Sequence, residues 1–223
     1  MSITIEKSTL HELPIIRIND AWLLRDNASK HLNKLYGEGE PLRSDEEYEE
    51  ITNAYRDAWR PFEKKILSGM RDVIGLQFRQ NIIDVYIAPW FNAFSDPMII
   101  GVRSEPDAFV DILTHELLHR LLTDNTTVPH NTRFFTEWKK LYGKQHSFNA
   151  TVHIPVHAVH KAIYIDILKA PERLKRDVAF VKKYDAKDYL KAWDYVEKKG
   201  YKEIITELKQ WYIDTAAKIE EEK

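Results

Sequence analysis

Thr114-His115-Glu116-Leu117-Leu118-His119 falls late in a strongly helical stretch and has the form H-E-x-x-H. Residues four apart on an α-helix are separated by about one turn, so His115 and His119 project from one face with imidazoles near enough to share a cation. Glu116 is rotated by roughly a quarter turn. That puts a carboxylate beside the cation without making it a ligand, where a general base must stand to take a proton from a metal-activated water. Three fixed positions make a short pattern, so the surrounding chain has to carry part of the argument.

The helix itself is bounded by readable signals. Ser104 is expected to cap it, with Pro106 in the first turn; Phe109, Val110, Leu113, Leu117 and Leu121 provide its buried face, and it should end near Asp124-Asn125. Just upstream, Ile82–Ala88 and Met98–Val102 read as neighbouring strands of one sheet, separated by a loop containing Pro89 and Asp96-Pro97. Before them, Ser44 and Glu47 have the form of a capping box, and Tyr48, Ile51, Tyr55, Trp59, Phe62, Ile66, Met70 and Val73 keep helical spacing. Pro61 interrupts that series and predicts a kink or a second helix beginning there. The N-terminal stretches Ile3–Ile5 and Leu13–Ile18 are rich in β-branched residues, and Pro14 places the second at a sheet edge. Asp20 reads as the cap of a helix carrying Trp22, Leu23, Leu32 and Leu35 and closed by Gly37.

Downstream, Thr126-Thr127-Val128-Pro129 reads as a turn, followed by an amphipathic helix with His130 at its entrance and Phe134, Trp138 and Leu141 inward. Residues 151–156 alternate before a helical reading takes over through Tyr164 and Leu168, and from Pro171 onward two or three amphipathic helices follow. The whole reads as an α+β fold: a small mixed sheet packed against the H-E-x-x-H helix within residues 1–150, with a helical extension over 151–223 packed on the same domain.

Composition narrows the chemistry. The 33 lysines and arginines nearly balance 35 acids, so nothing marks the surface for nucleic acid. No cysteine occurs in the 223 residues, which leaves histidine and carboxylate as the ligands for zinc. The N-terminus lacks an apolar signal core and no apolar run is long enough to cross a bilayer, so a cytoplasmic protein is expected.

A hydrolytic zinc site needs three protein ligands and an open position for water. His130 follows His119 after ten intervening residues, enough for the helix to end and the chain to turn back, which makes it the preferred third ligand. Glu137 competes with it, since two turns of helix put the two about 10 Å apart and only one can bind. A histidine of the later cluster His153, His157 and His160 is a further alternative. Those histidines otherwise read as hydrogen-bonded core residues, with His157 the first choice for a supporting role in catalysis. Asp111, one turn before His115, stands where it would orient an imidazole.

The arrangement His115-Glu116-Leu117-Leu118-His119, then Pro129-His130-Asn131-Thr132-Arg133-Phe134-Phe135, resembles the SprT-like and WLM groups of minimal zinc metallopeptidases, of the zincin type, over roughly residues 44–142. The resemblance implies an edge strand before the active-site helix that holds the substrate backbone, a role that falls on Met98–Val102 here. It does not extend to the cysteine zinc ribbon of many SprT-like proteins, and Asn131 replaces a commoner glycine. The expected function is therefore a peptidase with one zinc per chain, metal ligands His115, His119 and His130, Glu116 as base, and a protein or peptide as substrate. The alternative from another class is a catalytically silent scaffold of the same fold that binds a partner through its C-terminal helices.

Overall fold

The computed structural model describes residues 13–27, 43–89 and 92–222. The expected strand at Ile3–Ile5 and most of the helix expected to end at Gly37 lie outside them, although residues 22–27 are helical.

Strand β1 (Ile15–Asp20) leads, after that helical turn, to α1 (Asp45–Trp59). The Ser44 hydroxyl accepts from the Glu47 amide at 3.2 Å and the Glu47 carboxylate accepts from the Ser44 amide at 2.7 Å, the reciprocal cap that the sequence announces. The run breaks at Pro61 as expected: residues 60–62 form a turn and α2 (Glu63–Ile74) begins after it. Gly75 ends α2 with φ +78°, a conformation that a side chain would disfavour.

Strands β2 (Ile82–Ala88), β3 (Phe94–Ser95) and β4 (Met98–Gly101) complete a mixed sheet of order β1-β2-β4-β3. β1 and β4 both run parallel to β2, while β3 runs antiparallel to β4. Alternation decides which face is buried: Ile83, Val85 and Ile87 point into the core, whereas Ile82 and Tyr86 face out. The turn at Asp96-Pro97, a cis bond, folds β3 back along β4. β4 is therefore paired on both sides, and the edge role expected of Met98–Val102 passes to Phe94–Ser95.

Helix α3 (Pro106–Thr123) crosses the buried face of the sheet. It starts one residue later than the sequence suggests: the amide of Ala108 bonds the carbonyl of Glu105 at 3.0 Å, so Glu105 and not Ser104 is the N-cap, without a side-chain bond. Its buried residues lie all round the axis because sheet and α1 cover one side while another helix covers the other.

That other helix is α5 (Phe148–Ala162), reached through α4 (Phe134–Tyr142). The Ser147 hydroxyl caps it by accepting from the Ala150 amide at 3.1 Å, so the alternating stretch at 151–156 is helical and not extended. A π-helical turn, Ile163–Ile167, follows, then α6 (Pro171–Lys183), α7 (Lys187–Lys199) and α8 (Tyr201–Glu221). α5 packs against α3, α4, α7 and α8, and one apolar core runs from Ile18 to Tyr212. The division expected at residues 150 and 151 thus falls inside α5, and the C-terminal helices share the core of the sheet. The Tyr212 hydroxyl donates to the carbonyl of Leu122, one of the acceptors that the end of α3 leaves open.

Candidate metal centre

α3 and α5 face each other through histidines. On α3, His115 and His119 are one turn apart; on α5, His153, His157 and His160 recur at intervals of four and three, which also places them on one face. Nε2 of His119 lies 3.1 Å from Nε2 of His115 and 3.3 Å from Nε2 of His153, and a ligand atom from each of the three falls within 4.8 Å of the others. Nitrogens about 2.0–2.1 Å from a tetrahedral metal are about 3.3–3.4 Å apart, which the two pairs through His119 match, while His115 and His153 would draw closer together around a single ion.

His153 is set for the task by its own helix. Its Nδ1 lies 2.6 Å from the Asn149 carbonyl, which can only accept, so the proton sits on Nδ1 and the lone pair is left on Nε2. Burial pushes the imidazoles far down: His119 to about 3 and His153 to about 4, with His115 also well below its ordinary value through burial and its four neighbouring imidazoles. All three are neutral at physiological pH, the form in which an imidazole can bind a metal.

Glu116 projects into the same cleft. Burial raises its carboxyl to about 7, against the opposing pull of the Arg103 guanidinium. A carboxyl in that range takes up and returns a proton near neutrality. The cleft has a volume of about 640 Å³. Phe94 and Ser95 of β3 form one wall, Phe134 and Phe135 the other, and Phe148 and Tyr189 stand at its α5 and α7 sides. Arg133, Asn149, Ser95 and three threonines also line it, beside Glu116, His119 and His153.

The structure brings His115, Glu116 and His119 together as the sequence suggests, but the third histidine in reach is His153. His130 is exposed beside Arg79, Asp96, Arg120 and Asp124 in a neighbouring cavity, beyond Ser95 and Thr123. The cause is local: the buried Asn125 side chain accepts from the amides of Thr127 and Val128 and donates to the Leu121 carbonyl, which fixes the turn after α3. The chain leaves past the end of α3, and α5 covers the face that carries His115 and His119 instead. Glu137 bonds Lys140 at 2.7 Å on the surface of α4. Asp111 does not orient an imidazole: it accepts from Tyr164 at 2.9 Å, Arg173 at 2.6 Å and Arg176 at 2.7 Å. His11 and His31 lie outside the described residues.

His157 and His160 are fully buried, and none of their four ring nitrogens has a hydrogen-bond partner among the described residues. His157 stacks on Trp193 with centroids 4.1 Å apart and planes 10° apart, and His160 rests on Tyr164 at 4.3 Å. Both approach His115, at 5.7 and 5.8 Å between ring centroids, but neither lines the cleft. The i, i+4, i+7 spacing of the three histidines was the signal in the sequence for His153; Tyr189 had none.

Set against known proteins, the chain matches no family model, no curated protein and no solved structure.

Proposed function

We propose that this chain is a zinc-dependent metallopeptidase, of the kind that the H-E-x-x-H segment resembles, with His115, His119 and His153 as metal ligands and Glu116 as general base. The observation that carries the reading is the convergence of three neutral Nε2 atoms, at 3.1 and 3.3 Å, beside a carboxyl poised near 7. Three histidines without a fourth protein donor among the described residues leave a position for water, the pattern of a catalytic site. Zinc bound there supplies a Lewis acid that polarises a carbonyl and acidifies a water. Glu116 takes the proton from that water as it attacks and passes it to the leaving nitrogen. The free edge of β3 offers main-chain groups to an extended peptide, and Phe134, Phe135 and Phe148 favour a large apolar side chain next to the bond cut.

Casein, an unstructured protein, tests the reading. Wild-type protein is expected to bind one zinc and cleave casein, to lose cleavage on chelation and to regain it with zinc. Glu116→Gln keeps metal and fold but loses hydrolysis by at least about 100-fold, because an amide cannot serve as the base. Full turnover in that variant removes Glu116 from the mechanism. Zinc bound without any cleavage by the wild type favours the silent scaffold, for which Phe180 and Tyr184, exposed and 4.7 Å apart at the end of α6, provide an apolar contact.

A further inference from the structure

Resting on the peptidase reading, we infer that Tyr189, contributed by the C-terminal helix α7, is a catalytic residue that donates its phenolic proton in a hydrogen bond to the carbonyl oxygen of the bond being cut. Tyr189 lies in the first turn of α7, and its ring packs on the His153 ring with centroids 4.0 Å apart and faces the His115 ring at 6.3 Å and 19°. Two of the three metal-binding imidazoles thereby fix where it stands. The same residue lines the cleft with Glu116 and His119, and no described residue takes a hydrogen bond from its hydroxyl or gives one to it. A half-buried phenol whose ring is clamped and whose hydroxyl is uncommitted is a donor kept for something that enters the cleft.

Several of its neighbours are less suited. His157 and His160 are fully buried and do not reach the cleft, so neither can touch a substrate. Thr123 is in the cleft, but its hydroxyl already donates to the His119 carbonyl at 2.8 Å. Asn149 gives its carbonyl to His153. Burial and the charges of Glu116 and Asp177 raise the Tyr189 phenol above its ordinary range, which keeps the proton in place at the pH where Glu116 works.

The step balances as follows. As the water oxygen bonds to the carbonyl carbon, its proton goes to Glu116 and the carbonyl π pair moves onto oxygen, where negative charge builds up. Tyr189 stabilises that charge without giving up its proton. When the pair returns, the C–N bond breaks and Glu116 protonates the leaving nitrogen. A donor aimed at developing charge is worth more in the transition state than in the bound substrate, so its loss falls on kcat more than on KM.

The test uses the zinc-loaded full chain and a quenched fluorescent peptide built on a site cleaved in casein. Tyr189→Phe should bind zinc as the wild type does and lower kcat about 100- to 1,000-fold, with KM altered less than about threefold. Calorimetry with a phosphinic analogue of that peptide, which mimics the charged tetrahedral centre, should show a loss of affinity of similar size. Affinity for the cleaved product should not change. If Tyr189→Phe keeps wild-type kcat and phosphinate affinity, the assignment is overturned while the peptidase stands. A variant that loses zinc in step with activity shows that Tyr189 only supports His153, and also overturns it. A wild type that holds zinc and cuts no peptide overturns the peptidase reading and this one with it.

Discussion

Nδ1 of His153 can do only one thing against a backbone carbonyl 2.6 Å away, namely donate, and that single bond makes His153 a better ligand than a freely turning imidazole. His130 has no such support and stands exposed in another cavity. Replacing His153 with alanine should therefore weaken zinc by several orders of magnitude, since two remaining histidines hold the ion poorly, while His130→Ala should leave affinity within about twofold. Competition with a chromophoric chelator measures both. A larger loss for His130→Ala would restore the ligand set expected from the sequence.

At the scale of elements, α5 carries more than its share of buried polarity. The Thr151 hydroxyl bonds back to Ser147 at 2.8 Å, Pro155 interrupts the helix's own bonding, and His157 and His160 bring four unpartnered nitrogens into the interior. An unpaired buried polar group costs on the order of 1–3 kcal/mol, whereas leucine of similar volume costs nothing of that kind. His157→Leu and His160→Leu are accordingly expected to stabilise the metal-free protein by about 1 kcal/mol or more each, read by urea unfolding in the presence of a chelator. Destabilisation by both would show that the imidazoles have acquired hydrogen-bond partners in solution. The β3–β4 hairpin is the other element with consequences: by covering β4 it leaves two residues, Phe94 and Ser95, as the sheet edge facing the cleft.

For the molecule as a whole, the buried titratable groups fix how stability responds to pH. Five imidazoles, His115, His119, His153, His157 and His160, are held below their ordinary value of 6.5, so the unfolded chain takes up protons there that the native metal-free protein refuses. Glu116 and Asp177, both raised by burial to about 7, act in the opposite sense, because the native state holds protons that the unfolded state has lost. Five against two leaves a net uptake of about three protons on unfolding between roughly pH 4.5 and 6.5, and stability should fall on acidification with a limiting slope of about 4 kcal/mol per pH unit. Above 6.5 the unfolded imidazoles lose their remaining protons while the two native carboxyls lose theirs near 7, so the two effects nearly cancel and stability should level off. Urea midpoints of the metal-free protein from pH 5 to 8 should rise steeply up to about pH 7 and level off above it. A midpoint that rises steadily from pH 6.5 down to 5 would contradict this balance.

What the sequence determined by itself is what short range controls: the helical pairing of His115 with His119, the position of Glu116 beside them, the cap at Ser44 and the break at Pro61. Each depends on bonds within about one turn of helix, which residue type and spacing already fix. The third histidine of the proposed site is different. His153 is 34 residues from His119, and its place follows from a turn locked by Asn125 and from α5 packing against α3 as part of one core. His130 satisfied every local requirement of spacing, yet it stands exposed outside the cleft because the chain leaves α3 in another direction. The edge strand and Tyr189 were decided in the same way, one by a hairpin folding over β4 and the other by α7 docking on His153. Periodicity tells which side chains share a face of one helix; which face another helix then covers is settled by the burial of the whole core, and no local stretch of sequence contains that information.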